Sequence, residues 1–371
     1  MYCWGYNFFG QLGDNSTTQR LVPTAVSGGG FWKQLSAGSY HTCGIKADDS
    51  IYCWGRNGNG QLGDNSTTQR LSPTTISGGG AWKQISVGNN HTCGIKSDDS
   101  AWCWGSNANG QLGDNSTTQQ LVPTAVSGGG TWKQVSAAGS SFSSHTCGIK
   151  SDDTLYCWGS NTNGQLGDNS TTQRLVPTAI SGGGAWKQVS TAGGLFTSQT
   201  CGIKSDDTLY CWGNNSNGQL GDNSTTQRLV PTAISGGGAW KLVEAGNNHT
   251  CGIKSDDSFY CWGLNTNGQL GDNSTTQRLV PTAVSGGGTW MDAAAGNTHS
   301  CAITILGALT CWGDNYYGQL TATDFSGPAF RVTGESPICS DPIGKAGALV
   351  YNSTSSVMQY CDGVGWVGIG K

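Results

Sequence analysis

The residues best placed to do chemistry are cysteines. Six pairs stand ten residues apart: Cys43 and Cys53, Cys93 and Cys103, Cys147 and Cys157, Cys201 and Cys211, Cys251 and Cys261, Cys301 and Cys311. Thiols at a fixed spacing either bridge to one another or bind metal, and no zinc-type spacing is present. Cys3, Cys339 and Cys361 complete the set of fifteen.

Other chemistry-bearing residues also recur. His41, His91, His145, His249 and His299 stand one per repeat, with Gln199 in the remaining place. Metal ligands must converge within ~2 Å of one ion, so these read as structural hydrogen-bonding groups. The pairs Asp48-Asp49, Asp98-Asp99, Asp152-Asp153, Asp206-Asp207 and Asp256-Asp257 read as turn residues that cap local amides. A calcium site, to which Asp14 and Asp64 could also contribute, would need six or more oxygens. Gly58 to Gly63 satisfies G-x-G-x-x-G, but no helix follows, as a dinucleotide site requires. The Asn-Ser-Thr triplets at Asn15, Asn65, Asn115, Asn169, Asn223 and Asn273 read as a turn copied with its repeat. No catalytic residue, metal or cofactor is expected.

The positioning elements follow from the period. Cys-Trp-Gly begins at Cys3, Cys53, Cys103, Cys157, Cys211, Cys261 and Cys311, a repeat of about fifty residues. Within one copy, "WKQLSAG", "HTCGIK", "SIYCWG" and "LSPTTIS" read as four short strands separated by turn signals. If Lys46 opposes Ser50, the turn is Ala47-Asp48-Asp49 and Asp49 takes a positive φ. Counting outward, Ile45 faces Ile51, Gly44 faces Tyr52 and Cys43 faces Cys53. The cysteines then form a non-hydrogen-bonded pair with Cα atoms ~4.5 Å apart, within reach of a disulfide. All six pairs are expected to bridge, which places the chain in an oxidising compartment. Cys339–Cys361 is the favoured tail pair, leaving Cys3 alone; Cys3–Cys361 is the alternative.

Four-stranded antiparallel units in tandem suit an all-β, seven-bladed propeller. Both faces of the hairpin carry apolar groups, Cys43, Ile45, Ile51 and Cys53 on one and Tyr52 and Trp54 on the other, as a sandwiched blade requires. Residues 1–333 form the expected propeller and residues 334–371 a tail. The chain begins in mid-repeat, with only the outer two strands of its first blade. The tail segments "GALVYN", "VMQYC" and "WVGIG" could supply the inner two.

The pattern "HTCGIK…YCWG.N.NGQLGDN……VP" resembles the regulator of chromosome condensation repeat. The resemblance covers about residues 1–333. It implies a seven-bladed propeller whose repeats are offset from its blades. The family's members include a guanine-nucleotide exchange factor, a secreted β-lactamase inhibitor and a plant photoreceptor. The loop and basic tail of the exchange factor are not evident here. The cysteine-paired "CWG" version is similar to bacterial secreted or cell-surface relatives.

Charged residues are only 11% and net charge is −4, with no basic stripe for nucleic acid. No apolar run reaches the ~18 residues of a membrane helix. Near-identical copies make their differences informative. These cluster after Cys-Trp-Gly and between the first and second strands, two connections that emerge at one end of a blade. The candidate binding face is Tyr6, Phe8, Phe9, Arg56, Phe142, Leu195, Phe196, Leu264, Tyr316 and Tyr317. Variable loops on a rigid scaffold are a usual place for binding; the competing reading of Phe8, Phe9, Tyr316 and Tyr317 is packing at the ring seam. The expected function is a non-catalytic extracellular or cell-surface scaffold that binds a protein, with a surface glycan as the other partner class. A secreted enzyme inhibitor is the first alternative and an exchange factor the second.

Overall fold

The computed structural model describes residues 1–140, 142–194 and 196–320, and the backbone of the strands Leu349–Asn352, Val357–Cys361 and Trp366–Gly368. No helix occurs among the described residues. The fold is an all-β propeller of four-stranded antiparallel blades. Blade 1 runs in order through Trp32–Ala37, His41–Lys46, Ile51–Gly55 and Arg70–Thr75. Blades 2 to 5 repeat it over 82–125, 132–179, 186–233 and 240–283. Blade 6 shows three strands, Trp290–Ala295, His299–Thr304 and Leu309–Gly313.

The expectation of seven like blades is corrected to six. Tyr2–Gly5 pairs with Arg20–Ala25. They join the three tail strands in one five-stranded sheet, in which Tyr2 pairs with Met358 and Cys3 with Val357. Its strand Leu349–Asn352 lies beside the inner strands of blades 1 and 6.

The central hairpin has the register that its turn dictates. Cys43 faces Cys53, Gly44 faces Tyr52 and Ile45 faces Ile51, with Asp49 at φ 67°. Asp48 Oδ1 accepts from the Ser50 amide at 3.1 Å, so the paired aspartates do turn work. All six spaced pairs are disulfides with Cα atoms 4.1 Å apart. Cys3 is a buried free thiol, and burial pushes its pKa upward. The Cys3–Cys361 alternative is therefore not formed; the Cys339–Cys361 pairing lies outside the described residues.

Tryptophan packing explains the glycine opposite Tyr52. The Trp32 ring lies over Gly44, where an added Cβ would meet Trp32 Cε3 at 2.6 Å. Trp32 and Trp54 meet edge to face, 5.6 Å between centroids, in the core that blade 1 shares with Leu12. The other hairpin face packs Cys43, Ile45, Ile51 and Cys53 against Ile85 and Trp82 of blade 2. Blades 1 to 5 are thus buried on both sides, the condition for a large apolar gain from short strands.

The repeated motifs are staples between neighbouring blades. The Gln11 carbonyl accepts from Trp54 Nε1 at 2.9 Å and from Thr42 Oγ1 at 2.8 Å. His41 Nε2 lies 2.8 Å from Thr92 Oγ1, whose proton is already given to the Gln61 carbonyl. The imidazole must therefore donate from Nε2, and burial, which lowers its pKa to about 3, keeps it neutral. His91, His145 and His249 repeat the contact with Thr146, Thr200 and Ser300. Gln199 substitutes by donating from Nε2 to Thr250 Oγ1 at 2.9 Å and to two carbonyls. His41, His91, His145 and His249 are thus structural, as the spacing implied.

Candidate functional site

The third-to-fourth connection is held rigid by its own polar groups. Asn7 Nδ2 donates to Asp14 Oδ1 at 3.0 Å and to the Thr18 carbonyl, while Asn7 Oδ1 accepts from the Leu12 amide. Arg20 closes the loop on Asp14 at 2.6 Å. Asp64, Asp168, Asp222 and Asp272 take the equivalent arginines. Their carboxylates are occupied, which removes them from the calcium reading. The Gly58–Gly63 stretch belongs to the same kind of loop and leads into turns.

On this frame the variable side chains gather at one end of the disc. Tyr316 packs edge-on to Tyr317 at 4.8 Å, and Tyr317 meets Tyr6 at 4.8 Å. Tyr6 stacks with Phe8 at 6.4 Å, Phe8 meets Phe9 at 5.0 Å, and Phe9 meets Tyr40 at 5.2 Å. The Arg56 guanidinium caps the series, 5.4 Å from the Phe9 ring and 5.5 Å from Tyr40. The result is an unbroken aromatic strip from blade 6, across the composite sheet, to blade 1. Phe8 is 64% and Tyr316 78% exposed, so neither is sealed into the seam. Tyr40 was not among the sequence candidates. Its signal was slight, a tyrosine where other copies carry asparagine, serine or threonine before His-Thr, Gln-Thr or His-Ser.

The inserted loops make a second feature at the same end. Phe142 and Phe196 stack at 5.8 Å with 20° between planes, and are 62% and 68% exposed. Asn163 Nδ2 donates to the Phe196 carbonyl at 3.1 Å, tying a third-to-fourth loop to a first-to-second loop. Leu264 is half-buried and joins neither cluster. Leu195 lies outside the described residues.

The two ends differ in which of their positions carry charge. Among the variable loop positions only Arg56 and Asp314 are charged; the rest are aromatic, Asn, Ser, Thr, Gly, Ala or Leu. The opposite end carries the pairs Lys33–Asp49, Lys83–Asp99, Lys133–Asp153, Lys187–Asp207 and Lys241–Asp257. Such exposed pairs contribute little to stability.

The channel along the disc axis is lined by the first strands, and here sequence reasoning built no site. Gln34 Nε2 donates to the Ile85 carbonyl while its Oε1 accepts from the Ile85 amide. Gln84, Gln134 and Gln188 bridge to Val135, Val189 and Val243 in the same way. Ser36, Ser86, Ser136 and Ser190 each accept an amide from the next blade. The series ends at blade 5, where Leu242 replaces glutamine and Glu244 replaces serine. Asp292 takes the glutamine position in blade 6. Burial and then Asp292 push the Glu244 carboxyl up to about 8. Burial also raises Asp292 to about 7, against the Ala293 amide and Lys241. No group of three or more His, Cys, Asp or Glu able to hold a metal occurs among the described residues.

Comparison with known proteins agrees with the repeat geometry. A protein from Danio rerio, "Protein RCC2 homolog", is 31% identical over 91 residues, 24% of this chain and 18% of that one. The chain thus spans less than a fifth of that relative's length. Human WBSCR16 superposes with a TM-score of 0.75 at 22% identity, covering 90% of this chain and 94% of that one. Yeast RCC1 (Prp20), solved bound to Kap60, superposes with a TM-score of 0.73 at 20% identity, covering 88% and 81%. At these identities the likeness is one of fold. The model of the regulator of chromosome condensation (RCC1) repeat matches residues 1–45, 48–95, 98–144, 152–197, 206–253 and 256–303. With most of its length matched in six successive repeats, the chain belongs to the RCC1 repeat family.

Proposed function

We propose that this chain is a non-catalytic extracellular scaffold that binds another protein through the loop end of its propeller. The observation that carries the reading is the aromatic strip from Tyr316 to Tyr40 with Arg56 at its end. Tyrosine and arginine are enriched at binding hot spots. A rim of Asn, Ser and Gly around rigid aromatics is also the composition of antibody paratopes, which recognise proteins. Six disulfides suit an oxidising compartment outside the cell. Propellers of this fold do bind proteins: yeast RCC1 is solved bound to Kap60, and Prp20p is described with binding properties to Gsp1p and histones.

In this reading the composite sheet, which Tyr2–Gly5 and Arg20–Ala25 share with Leu349–Asn352, Val357–Cys361 and Trp366–Gly368, closes the ring. Its position between blades 1 and 6 supports that role.

The test is affinity capture from an extracellular protein fraction, with each captured protein then purified. It should bind the native chain in isolation. It should bind a Phe8→Thr/Tyr40→Asn/Tyr316→Thr variant at least tenfold more weakly, and a Lys33→Ala variant of the opposite end equally well. A partner indifferent to the aromatic changes overturns the reading, as does an array on which only glycans bind.

A further inference from the structure

The inner strands of blades 2 to 5 line an axial cavity of about 130 Å³ that opens toward the loop end of the disc. Its lining is hydroxyl, amide and small aliphatic, and Glu244 is its single formal charge. Four other blades place serine at this position, where it accepts an amide of the next inner strand. In Glu244 the longer side chain replaces that bridge. Its Oε2 accepts from Ser190 Oγ at a long 3.5 Å.

Glu244 is half-buried in the cavity wall, and among the described residues no cation of that wall offsets its charge. The groups that face Glu244 can be named strand by strand. The blade 6 inner strand offers Asp292, of the same sign. Its own strand carries Lys241, which is committed to Asp257 and to the Trp290 carbonyl at 3.1 Å. The blade 4 inner strand offers the neutral Ser190 and Thr191, with Lys187 tied to Asp207 at the far end. A desolvated carboxylate without a counter-charge is costly, and a cation from outside removes that cost.

We infer that the axial cavity binds a small organic cation, a primary ammonium such as a lysine side chain presents, through Glu244 and the hydroxyls of Ser136, Ser190 and Thr191. An ammonium is a compact charge with three donors, which one carboxylate and adjacent hydroxyl oxygens can accept. Magnesium or calcium would need six or more oxygens in a shell. The cavity is small, walled by rigid strands and open on one side, which suits entry of a single cationic tip. The raised pKa of Glu244, about 8, has the sign of a carboxylate awaiting such a partner. Binding near pH 7 then releases a proton, and affinity climbs about tenfold between pH 7 and pH 9 as the carboxylate ionises.

Titration of the full chain with propylammonium chloride tests this by calorimetry in buffers of different ionisation enthalpy. Saturable binding with proton release at pH 7 and about tenfold tighter binding at pH 9 are expected. Propanol, of like shape without charge, should not bind. Glu244→Ser, the residue four other blades carry, and Glu244→Gln should each weaken binding at least tenfold. Absence of saturable binding at pH 9, equal binding of propanol, or unchanged affinity in a folded Glu244→Ser variant overturns the proposal. The native-chain arms decide it even if a variant fails to fold.

Discussion

Trp4 Nε1 donates to the Gln319 carbonyl at 3.3 Å, joining residues 315 positions apart. The same staple runs from Trp54 to Gln11, Trp104 to Gln61, Trp158 to Gln111, Trp212 to Gln165, Trp262 to Gln219 and Trp312 to Gln269. Because Gln319 belongs to the last repeat copy and Trp4 lies in the first strand, this link connects the two ends of the repeat array. Trp4→Phe keeps most of the buried ring and deletes the donor. The expected loss is about 1–3 kcal/mol, the cost of an unpaired buried carbonyl. Trp54→Phe should cost less, since Gln11 keeps its bond from Thr42. Urea denaturation of the two variants checks the ranking.

Each disulfide spans ten residues, so each removes only a short loop from the unfolded ensemble. Replacing Cys201 and Cys211 together by alanine should cost about 2–3 kcal/mol and leave the blade packed, because both sulfurs sit within a wider core of Ile203, Leu209 and Trp240. Denaturant midpoints with and without reductant measure it. The bridges should act nearly independently, being in separate blades.

Acid should unfold the protein through its histidines. Burial holds His41, His91, His145 and His249 down at about 3 and His299 at about 4. For a base with a depressed folded pKa, the unfolded chain takes up the proton first. Stability is therefore lost as pH falls from about 6.5 toward 3–4, at up to about 1.4 kcal/mol per histidine per pH unit. Glu244 and Asp292 act in the opposite sense: their folded pKa values are raised, so falling pH relieves them from about 8 and 7 downward. Five histidines outweigh two carboxyls, and the net slope is destabilising below about pH 6.5. A His145→Gln variant, which copies the natural substitution at Gln199, should flatten it in a thermal-unfolding series from pH 8 to pH 4.

The cysteine register was legible because a three-residue turn fixes every pair beyond it, and Asp49 at φ 67° shows that turn. The loop end was legible for a different reason: near-copies cancel the scaffold and leave the variable positions visible. The same comparison could have exposed the channel. "WKLVEA" departs from "WKQVSA" at Leu242 and Glu244, and "WMDAAA" departs at Met291, Asp292, Ala293 and Ala294. Those departures lie inside strands, where a change of residue reads as packing until the strands are known to face a common axis. Tyr40 was hidden similarly, since its contacts with Phe9 and Arg56 cross between blades. The number of blades was over-read because a Cys-Trp-Gly copy marks a third strand and says nothing of the strands before it.

Phe8 and Tyr316 separate a binding strip from a packed seam. Both lie at the seam, yet both project most of their surface into solvent. A residue that closes a ring should lose stability when shortened; one kept for a partner should not. Phe8→Thr and Tyr316→Thr, which adopt a residue found at this position in two other repeats, should each change stability by less than about 0.5 kcal/mol. Tyr317, half as exposed and packed between Tyr316 and Tyr6, should cost about 1 kcal/mol as Tyr317→Asn through its lost aromatic contacts. Chemical denaturation gives all three values. Losses above about 2 kcal/mol at Phe8 or Tyr316 would make these rings structural, and the aromatic strip would lose its claim to a partner.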